Sequence, residues 1–260
     1  MPGSKAHPAD RVWRSLPAGA REALEHDLPP TGLQTLLIAV AEARAGRITA
    51  ANVMRRWQND RFVQPAPSDP RRVSVVEARL WQLLPTGFSG VELSPVAPLG
   101  TCHAVGPVSQ NRIVSTMRNA EVVSDSTNAL AVEAALRRRR QPKHGEVDLA
   151  ACHRQLRAQV FDPGAGAHFR LFALVSSARD RGSGRTEAAM ITRHVKFWLE
   201  VLSTLIPQHQ PGIELSVFDG PCSPSASPTS EFPDPSPLPF RMGGVDERAG
   251  VAAVPRRGGC

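Results

Sequence analysis

Ser176-Ser-Ala-Arg-Asp-Arg-Gly-Ser-Gly-Arg185 brings Arg179, Arg181 and Arg185, with two glycines between them, to the entrance of an amphipathic segment that opens at Thr186. Three planar guanidinium groups beside a helix start, where backbone N–H groups lack internal partners, suit a phosphate-bearing ligand. Just upstream, His168-Phe-Arg-Leu-Phe-Ala-Leu-Val175 puts Phe169, Leu171, Ala173 and Val175 on one face of an extended chain and Phe172 and Leu174 on the other. Apolar residues on both faces predict a central strand. An earlier apolar segment, from residue 147 to Gln159, joins it through the bend Phe161 to Ala167, so a strand pair leads into the Arg/Gly loop.

Other reactive side chains give weaker patterns. The dipeptides Cys102-His103 and Cys152-His153 supply soft N and S donors, but neighbouring residues on a strand point to opposite faces, and neither spacing matches a zinc knuckle. No metal site is expected. A Cys102 and His153 nucleophile pair has nothing nearby in sequence to orient the base.

The elements that must position these groups follow from periodicity. Thr31 is placed to cap a helix with Leu33, Leu36, Leu37 and Val40 inward and Gly46 at its end. Thr49 caps a second, with Val53, Met54 and Trp57 inward and Arg55, Arg56, Asn59 and Arg61 outside. Pro65 to Pro70 reads as a linker. Asp69-Pro70 then reads as cap and first turn of a third helix burying Val73, Val76, Leu80 and Leu84. Strands are expected at Phe88 to Leu93 and Arg112 to Met117, a helix at Ser126 to Arg140 carrying Leu130, Ala134 and Leu136, and a last strand at Ile213 to Phe218. Trp13, Trp57, Trp81 and Trp198 fall in apolar helical patterns and are expected in the core. From Gly220 onward prolines and serines leave no hydrophobic period, so residues 219–260 are expected to be disordered.

The fold class is therefore α/β (α+β), a mostly antiparallel sheet flanked by helices. The expected organisation is a helical region over residues 1–64, an α/β core over 70–218 and the tail over 219–260. The 260 residues contain no apolar run near the roughly 18 needed to span a bilayer, and the start lacks the apolar stretch of a secretion signal, so the expected address is cytoplasmic with no membrane partner. Four widely spaced cysteines do not form a disulfide framework. The net charge of +7 is concentrated in residues 1–218, which hold 27 basic against 19 acidic side chains. That excess favours a polyanionic partner, RNA or DNA included, although Arg-, Ala- and Pro-rich usage also follows from a GC-rich coding sequence. Thr31 to Phe62 has the outline of a helix-turn-helix, with Arg55, Arg56 and Asn59 on the helix that would enter a major groove; a cap packed on a neighbouring domain has the same outline.

Read in order, the segments from about residue 88 to 218 resemble the catalytic core of class II aminoacyl-tRNA synthetases, in particular the histidyl type and its non-catalytic relative, the regulatory subunit of ATP phosphoribosyltransferase. Ser124-Asp125-Ser126-Thr127 stands where that family has a strand-to-helix Arg-Pro-Glu-Gly-Thr element. The resemblance implies that Asp125, with Thr127 beside it, receives the α-ammonium of an amino acid; the local alternative is that Asp125 caps the helix. Leu156-Arg157-Ala158-Gln159 and the strand from His168 fit the second motif, which makes Arg157 the catalytic arginine at the α-phosphate, with Gln159 and Arg170 lining the ligand. Gln159 replaces an acidic partner, and Leu174 and Ala178 replace the polar side chains that read imidazole, so histidine specificity is not expected. The third motif would fall in the proline-rich tail and has no convincing equivalent there. Whether that tail is native or follows from a reading-frame change stays open.

The implied function is a synthetase-like protein that holds a nucleotide or amino-acid-like ligand, with weak or absent ATP-dependent ligase activity and ATP with Mg as the implied cofactor. The alternative is a non-catalytic regulatory or DNA-binding module built on the N-terminal helix pair. A homodimer is compatible with either reading.

Overall fold

The computed structural model describes residues 8–106, 108–140, 145–161, 165–215 and 249–251. In chain order the elements are α1 (Pro8–Trp13), α2 (Ala20–Glu22) running into a π-helical turn at Ala23–Asp27, α3 (Pro30–Ala45), α4 (Ala50–Asn59), α5 (Pro70–Leu83), β1 (Phe88–Gly90), β2 (Val96–Pro98), α6 (Thr101–Val105), a 3₁₀ turn at Gln110–Arg112, β3 (Ala120–Val122), α7 (Ser126–Arg139), β4 (Val147–Leu156), β5 (His168–Ser177), α8 (Arg185–Leu205), β6 (Ile213–Leu215) and β7 (Ala249–Val251). Two compact units share them: Met1–Asp69 with Phe88–Ala178, and Pro70–Gly87 with Arg179–Cys260.

In the first unit β4 pairs along ten residues with β5, antiparallel from Val147↔Ser177 to Leu156↔His168, and β1 joins the other side of β4 in parallel register at Phe88↔Asp148. The sheet order is β1-β4-β5. The expected central strand, β5, is therefore an edge of the described sheet, and β4 is its centre. Apolar residues on both faces of β5 show that both faces are covered, which an edge strand also permits. Alternation sends Val147, Leu149 and Ala151 of β4 and Ala173 and Val175 of β5 toward α7, where Leu130 and Ala134 complete a buried cluster with Val91 and Leu93. Phe172, Leu174 and Ala150 are buried on the opposite face.

Several local expectations hold. Asp125 caps α7, and Leu130 and Ala134 are its buried apolar residues, whereas Leu136 is exposed. Thr49 caps α4 in a full capping box with Asn52: the Asn52 N–H donates to Thr49 Oγ1 at 3.3 Å and the Thr49 N–H donates to Asn52 Oδ1 at 3.1 Å. Thr49→Ala is expected to cost about 1 kcal/mol, read as earlier unfolding of α4 in hydrogen exchange.

Others need correction. Helix α3 starts two residues earlier than expected, with Pro29 rather than Thr31 as cap and Pro30 in its first turn, because a proline there loses no internal bond. Neither α3 nor α4 has a buried residue: Trp57 is 53% and Met54 65% exposed, and Leu36, Val40 and Val53 are exposed as well. Periodicity marks one apolar face but does not supply the element that covers it. Arg112 to Met117 is not a strand; Gln110–Arg112 is a 3₁₀ turn and Ser115 makes one isolated bridge to Glu121, while the paired strand is Ala120–Val122. Val76 of α5 is also exposed, and Leu80 is that helix's buried residue.

In the second unit α5 packs on α8, whose Phe197 and Val201 are buried, and Phe197 meets Trp198 edge to face at 5.1 Å. β6 pairs in parallel with β7. The rest of the expected last strand, 216–218, and most of the expected tail lie outside the described residues. Among the described residues no helix is long and apolar enough to cross a membrane.

Candidate functional site

Helix α7 begins beside the far end of β4, and the residues that meet there come from both elements. Ser124 and Asp125 end the segment from β3, Ser126 opens α7, and Gln155 and Arg157 project from the same face of the β4 segment that carries Leu149 and Ala151. Asp125 Oδ1 accepts the Thr127 N–H at 2.9 Å and the Thr127 hydroxyl at 2.7 Å, which satisfies one orphan donor of the helix start. Its second oxygen, Oδ2, faces Arg157 Nη2 at 3.4 Å. Arg157 Nε donates to the Ser124 carbonyl at 2.8 Å, and the guanidinium lies 5.3 Å over the Phe169 ring.

Asp125 takes the local role the sequence offered, the helix cap, and its free oxygen lies beside Arg157. The two side chains are 26% and 30% exposed, so solvent screens the ion pair and its contribution to stability is small, about 0–1 kcal/mol. Among the described residues Arg157 Nη1 has no hydrogen-bond partner. The guanidinium is thus held through Nε and Nη2 and by the ring, with Nη1 left without a hydrogen-bond partner among the described residues.

Beneath the pair lies Gln155, fully buried, a residue missed from the sequence. In its best-satisfied orientation Nε2 donates to the Ser124 carbonyl at 3.0 Å, while Oε1 accepts the Ser126 hydroxyl at 2.7 Å and the Ser126 N–H at 2.9 Å. It ties β4 to the start of α7 and so fixes the spacing of Asp125 from Arg157. The period-2 pattern of β4 could have flagged it, since Gln155 continues the inward series 147, 149, 151, 153.

The chain after β4 is held by the segment following α4. Arg61 donates to the Gln159 carbonyl at 2.5 Å and to the Ala158 carbonyl, and His168 Nε2 meets the Gln64 carbonyl at 2.7 Å. Gln159 thus lies beside Arg157 in sequence, with its backbone committed to Arg61. Arg170 belongs elsewhere: it is exposed on β5, cross-strand from Arg154, and alternation turns it to the face opposite Phe169.

Arg179, Arg181 and Arg185 belong to the second unit. All three are exposed, in a loop whose Gly182, Ser183 and Gly184 lie at φ of 76°, 53° and 68°. The loop is tied to itself: the Thr186 hydroxyl accepts the Arg181 N–H at 2.8 Å and donates to the Arg179 carbonyl at 3.2 Å, and Arg185 Nη2 donates to the Arg181 carbonyl at 2.9 Å. Gly184 caps α8 without a side-chain bond.

The two Cys-His pairs do not come together, and of their members Cys102 touches the edge of the site. Cys102 is buried with its Sγ 3.1 Å from Ser124 Oγ. His153 is buried on β4, where desolvation pushes its pKa down, with Arg170 assisting and Glu92 opposing. Among the described residues no three His, Cys, Asp or Glu side chains are placed to hold a metal ion. Arg157 suits a phosphate oxygen, but Mg brought in with ATP would have to draw its ligands from phosphates, water and isolated carboxylates.

The chain has partial structural similarity to synthetase-type proteins. It is similar to a pyrrolysyl-tRNA synthetase, PylSc, from Desulfitobacterium hafniense, with 11% identity and a TM-score of 0.42 over 59% of this chain and 50% of that one. It is similar to an ATP phosphoribosyltransferase regulatory subunit/histidyl-tRNA synthetase from Bacillus halodurans, with 15% identity and a TM-score of 0.40 over 54% of this chain and 38% of that one. A third similarity is to histidyl-tRNA synthetase from a Nostoc species, with 18% identity and a TM-score of 0.39 over 53% of this chain and 34% of that one. The chain thus spans half or less of each of these proteins. No family model and no curated protein sequence matches it.

Proposed function

We propose that this protein binds a small anionic ligand of nucleotide or amino-acid type at the Arg157–Asp125 pair, as a synthetase-like binding protein with weak or absent ligase activity. The observation that supports this most is that Arg157 Nη1 has no hydrogen-bond partner among the described residues. A guanidinium braced by the Ser124 carbonyl and the Phe169 ring, with Nη1 free of protein partners among the described residues, is preorganised for a phosphate or carboxylate. Asp125 sits 3.4 Å away and can take an ammonium group of the same ligand, so together the two match a zwitterion. The Asp125 contact with Arg157 is long, at 3.4 Å, and partly exposed to water, so a ligand anion displaces it at little cost. Weak ligase activity fits the presence of Gln159 where an acidic side chain would assist adenine recognition.

Calorimetric titration with AMP, ATP and each amino acid tests this reading. Arg157→Ala should weaken the ligand that binds by about tenfold to a hundredfold, the worth of one charge-assisted bond. Asp125→Asn keeps an oxygen for the Thr127 N–H and leaves the cap, so stability should stay within about 0.5 kcal/mol while amino-acid binding falls and AMP binding persists. Should no member of the panel bind, or bind equally to wild type and Arg157→Ala, the proposal fails. ATP–pyrophosphate exchange run beside it separates an active ligase from a binding protein.

A further inference from the structure

Helices α3 and α4 meet at the turn 46–49, and the hollow there, of about 490 Å³, is lined by Arg44, Arg47, Ile48, Asn52, Arg55 and Arg56. Four of the six are arginines, drawn from the last turn of α3, the connection and the middle of α4. All four are exposed, and among the described residues none of their guanidinium groups is paired with a carboxylate. Four cations gathered on one exposed concave surface, none neutralised by a neighbouring carboxylate, make a locally positive patch that complements a polyanion.

The geometry of α4 points to the class of polyanion. At about 100° per residue, Asn52, Arg55, Arg56 and Asn59 share one arc of the helix of about 100°, and Val53, Met54 and Trp57 occupy the opposite side. No residue of α4 is buried, and its capping box keeps its first turn intact without help from neighbours. A helix exposed on all sides, about 10–12 Å across, fits the B-DNA major groove of about 12 Å, whereas the deep, narrow major groove of A-form RNA excludes it. Asn59 Nδ2 is committed to the Arg55 carbonyl at 2.7 Å, so the arc offers the arginines for phosphate contact more than an amide for reading bases.

We propose that the α3–α4 arginine hollow is a binding surface for the phosphate backbone of duplex DNA, with α4 entering the major groove and with little sequence preference. It is independent of ligand binding at Arg157. Fluorescence anisotropy of the full chain with a labelled DNA duplex of about two helical turns tests it, against an RNA duplex of the same sequence and across a salt series. DNA should bind more tightly than RNA, with log affinity falling against log salt at a slope of about −3 to −4, as expected if each of four phosphates contributes about 0.9. The double variants Arg44→Ala/Arg47→Ala and Arg55→Ala/Arg56→Ala should each lose about tenfold or more in affinity and flatten the slope by about 2. Arg157→Ala should bind DNA as the wild type does. Absence of DNA binding at low salt, RNA bound as tightly as DNA, or double variants that bind like wild type would each overturn the proposal. Far-UV circular dichroism of the variants confirms that exposed positions were changed without unfolding α3 or α4.

Discussion

Leu130→Ala is expected to lower the free energy of unfolding by about 2–5 kcal/mol, measured by urea denaturation followed by far-UV circular dichroism. Leu130 is fully buried in the cluster that joins α7 to Val147, Leu149, Ala151 and Ala173, so truncation removes both transfer free energy and packing across two strands. Its neighbours are small or strand-bound: Ala134, Ala151 and Ala173 have no side chain to swing into the space, which places the effect toward the upper end of that range. The same docking sets the position of Asp125 and Ser126 at the start of α7 relative to Gln155 and Arg157 on the β4 segment. Ligand binding at Arg157 should therefore weaken in Leu130→Ala even where the protein is still folded. Leu130→Met, which conserves volume, should cost less than about 1.5 kcal/mol and keep the site. A loss below about 1 kcal/mol in the alanine variant would mean that α7 is not docked through this residue.

Some of this arrangement was legible in the sequence and some was not, for physical reasons that differ residue by residue. Asp125 and Thr49 were readable because capping is local: an acceptor side chain before a helix start needs only the next three N–H groups. Arg157 was placed beside Asp125 through a resemblance, and the structure joins them because Gln155 clamps β4 to Ser126. That clamp was illegible, since a buried glutamine differs from a surface one only in what surrounds it. The faces of α3 and α4 were readable as apolar but not as uncovered, because a hydrophobic stripe says nothing about the partner that meets it. For the same reason Arg55 and Arg56 could be seen on one side of a helix, while Arg44 and Arg47 joined them only once the α3–α4 turn was in hand. The strand displaced from Arg112–Met117 to Ala120–Val122 has a similar origin: Glu121 interrupts the apolar run that marks a strand, yet it is the residue the surroundings bury.

Glu121 also gives the clearest pH dependence. It is fully buried on β3, where one carboxylate oxygen accepts the Gly100 N–H at 2.8 Å and the other the Cys102 N–H at 2.8 Å, with the Gln110 amide at 3.2 Å. It thereby serves as the missing cap of α6, whose own preceding residue, Gly100, has no side chain to offer. Burial pushes its pKa up, but the donors from Cys102, Gly100 and Gln110 outweigh burial and hold it below the ordinary value. A carboxylate with a depressed folded pKa stabilises the protein above its unfolded pKa, roughly 4.3 for glutamate, and that contribution disappears as pH falls through the folded value. Wild-type stability should accordingly drop below about pH 4.3, and Glu121→Gln should show a shallower drop over the same window. At neutral pH Glu121→Gln should cost about 1–3 kcal/mol, because an amide offers one acceptor and turns its NH₂ toward donors, and Glu121→Ala should cost more by leaving both backbone N–H groups unmet. Urea unfolding of the three proteins at intervals from about pH 3 to 7 separates these outcomes. Parallel pH profiles for wild type and Glu121→Gln would show that the carboxylate is not ionised in the fold. The α6 amides would then have to be satisfied by a neutral, protonated acid.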